Sequence, residues 1–222
     1  MIGEAERSER PVLTPPLTGV RDHAPMHLSD LPVLAPAYVG GVQLGAHAAL
    51  RHLPEPGPRH DFLRSCSTNV DQLEAGRWET LLTSALVVEE PMPLPYALLL
   101  LAVLGYAEYA YGAWWAAGVF LLGHTAATLL VYGGLRATGA DPATRSAVDV
   151  GASYGFNTVL GALTVAVPRG PLRLAARAGL LALGARPLLN KDRPTFTDVG
   201  HFAALALGIG LGSVLAGGRR AA

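Results

Sequence analysis

The sequence predicts an all-α polytopic membrane protein, a bundle of six transmembrane helices. Three observations carry that prediction. Half of the 222 residues are hydrophobic and only 15% are charged, with a mean hydropathy of +0.32, whereas soluble domains carry about 25% charged residues. The apolar residues come in blocks, and several blocks supply the ~20 mostly apolar residues that a spanning helix needs. Prolines and charges collect in the stretches between those blocks.

Lys+Arg and Asp+Glu both total 17, so net charge points to neither an acidic nor a basic partner, and no nucleic-acid partner is expected. The one cysteine, Cys66, excludes an intrachain disulfide and a cysteine-based metal cluster. The histidines are scattered, apart from His23 and His27 beside Pro25, so no metal and no cofactor is expected.

Residues 1–34 read as a flexible tail rich in charge and proline, without the charged start and apolar run of a cleavable signal. The membrane domain is placed at 35–218. Its first span, about Ala35 to Leu53, is the weakest, since it holds Gln43, His47 and three glycines; it reads as a span packed on others or as an interfacial helix. Residues 54–94 form a long first loop, opened by the breaker Pro54-Glu-Pro-Gly-Pro58. Within it, 69–86 has helical periodicity, with Leu73, Trp78, Leu81, Leu82 and Leu86 on one face. That stretch is an amphipathic surface helix or an ordered loop covering a site. The second span runs from about Pro95 to Gly112 and carries Glu108; the third runs from about Ala113 to Leu135, with Trp114-Trp115 as an interfacial belt and His124 inside it. The fourth is placed at Ser146 to Val167, the fifth at Leu172 to Leu189 with Arg173 and Arg177 one turn apart, and the sixth at Thr197 to Gly218. A short tail, 219–222, follows. Basic residues divide almost evenly between the two sides and give no orientation.

The fourth and sixth helices open alike. Ser146-Ala-Val-Asp149-Val-Gly151 parallels Thr195-Phe-Thr-Asp198-Val-Gly200, and both look like capping boxes with Asp in place of Glu or Gln. The first delivers Ser153 and the second His201. Two crossings separate the two starts, so the helices run parallel, and at ~1.5 Å per residue both side chains sit roughly 10 Å below one surface. Gly151, Gly155, Gly161, Gly200, Gly208 and Gly212 supply the small residues that let helix backbones approach in a bilayer. An ionisable residue within a span is a functional candidate, and a neutral histidine can activate a serine hydroxyl. The plainer alternatives are a serine bonded to its own helix and a packing histidine. Asp149 and Asp198 read most simply as N-caps, or as a group orienting His201. His124 falls about two turns deeper and is expected to pack or to bond Thr128, one turn on.

These residues resemble the rhomboid superfamily of intramembrane serine proteases, from about Asn69 to Gly212. Arg77-Trp78 through Leu86 is similar to the family's approach to the second span, and Gly105-Tyr-Ala-Glu108-Tyr-Ala-Tyr-Gly112 to its G-x-x-E-x-x-x-G. Gly151-Ala-Ser153 through Gly161 matches its active-site helix, and His201 through Gly208 and Gly212 its histidine helix. With Gly123-His124-x-x-Ala-Thr128, the pattern is most similar to a branch found in high-GC bacteria.

The resemblance implies a six-helix rhomboid-like bundle in the cell membrane, the inner membrane of a bacterium, with both termini in the cytoplasm. It implies a serine endopeptidase in which Ser153 is the nucleophile and His201 the general base, cleaving peptide bonds in or beside the helices of membrane proteins. Gly151 and Tyr154 would then contribute to the oxyanion hole. Glu108, His124 and Thr128 would be structural or alternative polar groups. The family's usual second-span His and Asn, which help bind the oxyanion, are Pro93 and Ala97 here; the Gly after the nucleophile is Tyr154, and the first-loop Trp-Arg is Trp78-Glu79. These departures keep a second reading open, a catalytically inactive homologue (a pseudoprotease) that binds membrane-protein clients. A third is a small transporter with Glu108, His124 and Asp149 as a proton path.

Overall fold

The computed structural model describes residues 31–190 and 194–218, and these are helical, with no strand among the described residues. Most of the expected 1–34 tail, with His23 and His27, lies outside them, as do the middle of the 190–194 connection and the 219–222 tail. In chain order the helices are α1 (Leu34–His52), α2 (Pro56–Cys66), α3 (Val70–Glu74), α4 (Thr80–Thr83), α5 (Leu94–Tyr111), α6 (Ala113–Ala137), α7 (Pro142–Arg145), α8 (Ser153–Ala162), α9 (Pro171–Asn190) and α10 (Phe196–Gly218). A 3-10 turn, Leu163–Ala166, continues α8.

Three helices, α5, α6 and α10, are long and apolar enough to cross a membrane. The other three expected spans fall short for separate reasons. Helix α1 carries Gln43, His47, Arg51 and His52 in its 19 residues; α9 carries Arg173, Arg177 and Arg186; α8 has only 10 residues before the 3-10 turn.

The core joins α1, α5, α6 and α8 through Val39, Leu100, Leu104, Val119, Phe120 and Val159, all buried. Glu108 fixes α1 to the end of α5. Its carboxylate accepts from the backbone N–H of Val33 and Leu34 at 2.9 Å each and of Ala35 at 2.7 Å. These are donors that the first turn of a helix leaves unsatisfied, and a carboxylate is suited to the positive end of a helix.

Helices α8 and α10 run parallel and touch closely. A Cβ on Gly212 would lie 2.6 Å from the Ala162 carbonyl oxygen, and one on Gly208 would strike the Thr158 backbone. Only glycine lets the two backbones meet there, as the small-residue spacing predicted.

Two expectations are corrected. Residues 69–86 do not form one helix. Asn69 caps α3 by accepting from Gln72 N–H at 2.9 Å, and α3 ends after one turn. Gly76, at φ 80°, closes it: Gly76 N–H bonds Leu73 O and Arg77 N–H bonds Gln72 O, both at 3.0 Å. This is a Schellman stop, which needs a left-handed residue and therefore favours glycine. The fourth helix, in turn, begins at Ser153 and not near Ser146. The short α7 takes its own cap from Asp141, whose side chain accepts from Thr144 N–H at 3.0 Å, and Ser146 bonds back to Pro142 O.

The chain from Ala147 to Ala152 stays non-helical because its polar backbone groups are satisfied by the first loop instead. Asn69 Nδ2 donates to Ala147 O at 3.3 Å, Asp149 N–H to Ser67 Oγ at 2.7 Å, and Gly151 N–H to Ser84 O at 2.7 Å. The first loop is thus ordered against the segment that leads into Ser153.

Candidate active site

The N-terminal ends of α8 and α10 form the site. On α10, Thr195 and Asp198 make the reciprocal cap read from the sequence: Asp198 Oδ2 accepts from Thr195 N–H at 2.9 Å, and Asp198 N–H donates to Thr195 Oγ1 at 3.2 Å. His201 lies one turn further on. On α8, Ser153 is the first helical residue. His201 Nε2 lies 2.8 Å from Ser153 Oγ. Both residues are half-buried. The His201 ring stands edge-on to the Tyr154 ring, with centroids 5.5 Å apart and planes at 76°. Tyr154 in turn fills the space over Gly200, where a Cβ would clash with its ring. Its hydroxyl is buried and forms no hydrogen bond of ordinary geometry.

The start of a helix carries free backbone donors. In α8 the first N–H with a carbonyl partner is that of Phe156, bonded to Ala152 O at 2.9 Å. The N–H groups of Ser153, Tyr154 and Gly155 therefore precede the helical ladder, in the same turn as the Ser153 side chain. The positive end of the α8 dipole falls at the same place. Asn157, one turn on and half-buried, folds back so that Nδ2 donates to Ser153 O at 2.9 Å. Sequence reasoning passed over Asn157. The available signal was an amide at i+4 from the serine, the spacing at which helical side chains share a face.

The other residues expected at the site go elsewhere. The Gly151 N–H, expected at the oxyanion hole, is already donated to Ser84 O. Asp149 does not cap α8: its carboxylate accepts from Tyr132 OH at 2.7 Å and its N–H goes to Ser67. Glu108 is engaged at the start of α1. Pro93 is the residue before α5, and Ala97 packs against the core, so neither has a side-chain donor.

A second, more buried serine–histidine pair lies beside the first and not two turns deeper as expected: the His124 ring centroid is 6.0 Å from that of Tyr154. Ser84 Oγ is 3.0 Å from His124 Nε2, and Thr68 Oγ1 donates to Ser84 Oγ at 3.1 Å. The expected His124–Thr128 bond is not formed: His124 Nδ1 and Thr128 Oγ1 are both buried without a hydrogen-bond partner. Ser84 and His124 are 2% and 3% exposed, whereas Ser153 and His201 are half-open. Only the Ser153–His201 pair offers its hydroxyl to an incoming molecule. Sequence reasoning missed Ser84 as a partner of His124, since one serine in an apolar run carries no spacing signal. Among the described residues, no group of three or more His, Cys, Asp or Glu is placed to hold a metal ion.

Comparison with protein families matches residues 37–221 to a family described as rhomboid-like protein. No curated protein and no solved structure matches the chain.

Proposed function

Since the chain belongs to the rhomboid-like protein family, we propose that it is an intramembrane serine endopeptidase working through Ser153 and His201. The observation that carries this reading is the 2.8 Å approach of His201 Nε2 to Ser153 Oγ at the half-open ends of two parallel helices. His201 Nε2 takes the Ser153 proton as Oγ attacks the carbonyl carbon of a peptide bond in or beside a membrane helix of the substrate. The oxyanion is met by the backbone N–H groups of Ser153 and Tyr154 and by the second N–H of the Asn157 amide, at the positive end of α8. The imidazolium then gives its proton to the leaving amine. Water, with His201 as base, hydrolyses the acyl-enzyme. In this reading α1, α8 with its 3-10 turn, and α9 cross the bilayer beside α5, α6 and α10. Six crossings result, and the 54–94 loop lies on the Ser153 side. The setting is the cell membrane, the inner membrane of a bacterium, and no cofactor takes part.

One specific observation favours a second reading, a catalytically silent homologue that binds membrane-protein clients. Pro93 and Ala97 have no side-chain donors, and the Gly151 N–H is occupied. Losing one oxyanion donor costs about 10²–10³ in kcat, so the remaining donors decide the matter. The transporter reading loses support because Glu108, its first relay, is fully engaged by three backbone N–H groups.

The test is cleavage of a library of single-span peptides by the protein reconstituted in liposomes. The peptidase reading expects product peptides that vanish with Ser153→Ala and with His201→Ala. Identical peptide profiles for wild type and Ser153→Ala would establish the silent homologue.

A further inference from the structure

At the opposite end of the α8–α10 pair, three arginines line one cleft. It is formed by Arg169, Arg173 and Arg177 with Ser213, Ala216 and Gly217, and has a volume of about 190 Å³. His201 and Ser213 are both on α10, so the cleft lies roughly 18 Å along the bundle from the catalytic pair, at ~1.5 Å per residue.

Two of the guanidiniums are held in place by neutral groups. Arg173 Nε donates to Val167 O at 2.7 Å and its Nη2 to Val165 O at 2.6 Å, at the end of the 3-10 turn. Arg177 Nε donates to Thr164 Oγ1 at 3.1 Å and its Nη2 to Ser213 Oγ at 2.8 Å. Arg169 stands exposed at the rim. No carboxylate pairs with any of the three among the described residues, whereas Arg77, Arg136 and Arg145 at the other end each have one. Carbonyls and hydroxyls orient a guanidinium but leave its charge uncompensated. Three such charges around one concave space suit a ligand with several anionic oxygens, because each fork can engage two of them. The cleft lies near the end of α10 opposite to His201, and in the six-crossing reading that end faces the lipid headgroups.

We propose that this cleft binds the phosphate headgroup of an anionic phospholipid. The headgroup enters past Arg169, and Gly217 and Ala216 leave room for it beside Ser213. Its acyl chains lie along the exposed apolar faces of α9 and α10, where Leu172, Leu174 and Val214 are largely uncovered. The site does not depend on the chemistry assigned to Ser153.

Native mass spectrometry of the full chain in a neutral detergent, titrated with phosphatidylglycerol or phosphatidylcholine, tests this. The wild type is expected to retain phosphatidylglycerol in preference to phosphatidylcholine. Arg169→Gln and Arg177→Gln are each expected to weaken that binding roughly fivefold, the contribution of one basic side chain at an anionic surface. Arg169→Gln removes charge at the rim without touching any helix-end bond, so its effect is not one of misfolding. Arg136→Gln, which removes a charge paired with Glu74 at the other end, is expected to leave binding unchanged. Equal phosphatidylglycerol binding by all four proteins would overturn the proposal. So would full displacement of the lipid by millimolar inorganic phosphate, which would mark a site for a free anion.

Discussion

In the proposed peptidase, the reactivity of Ser153 comes from its place as the first residue of α8. In the middle of a helix its hydroxyl would face a closed ladder of backbone bonds, and attack would build charge where no donor is free. At the start of the helix the first N–H groups precede the ladder of backbone bonds, which begins at Phe156. Asn157 adds a side-chain amide one turn on, its Nδ2 donating to Ser153 O, and in the proposed chemistry its second N–H meets the oxyanion. Asn157→Ala is therefore expected to slow acylation of Ser153 by about 10², as loss of an oxyanion donor does, with little change in melting temperature. The rate of labelling by a fluorophosphonate measures it. Ser84 and His124 illustrate the opposite case. They too lie within hydrogen-bond reach, yet burial seals them from substrate, so Ser84→Ala is not expected to change that labelling rate.

At the scale of the elements, the site depends on how near α8 and α10 can come. Gly208 and Gly212 set that distance, and Gly212→Leu forces the backbones apart at Ala162. Overpacking of this kind costs about 1–3 kcal/mol, and the variant is expected to melt lower and to lose labelling at Ser153 while remaining helical by circular dichroism. The first loop bears on the same helices through α7, whose Arg145 reaches Glu74 at 2.7 Å. Bonds from Thr144 hold the Asp141 carboxyl below the usual aspartate range. The folded pKa is depressed, so the cap is fully present above the unfolded value of about 3.9 and is lost as pH falls through the lowered folded value. A carboxyl NMR titration of Asp141 is expected to show its midpoint below that value. Helices α5, α6 and α10 were legible from their apolar blocks, and the Thr195–Asp198 cap was legible because a capping box is a local pattern. The start of α8 was not. Ser146 and Asp149 carry the same local pattern, but Ser67, Asn69 and Ser84, distant in sequence, claim the backbone after it. A long-range competitor of that kind leaves no trace in the spacing of Ser146 and Asp149.

Across the whole molecule, the parallel run of α8 and α10 gives the bundle two unlike ends. One end holds Ser153, His201 and the ordered first loop; the other holds the arginine cleft. The proposed six crossings make a definite statement about sidedness. In a Cys66→Ser background, single cysteines at Arg59 and Gly139 are expected to react with an impermeant maleimide from one face of the membrane, and cysteines at Trp114 and Arg169 from the other. Trp114 is 93% exposed, so its position reports the membrane side and not shielding by the protein. The approach of Ser153 to His201 was legible from the matched openings of the two helices, which the structure shows to run parallel. The pairing arises differently from the sequence reading, with α8 beginning at Ser153 and not near Ser146. The central claim is that Ser153 is a nucleophile activated by His201. Its most direct measurement is peptide mapping by mass spectrometry after the purified protein is treated with a fluorophosphonate. The account predicts one phosphonylated serine, Ser153, in the wild type and in Ser84→Ala, and none in His201→Ala. An unmodified Ser153 in the wild type, or an adduct on Ser84 in its place, would contradict it.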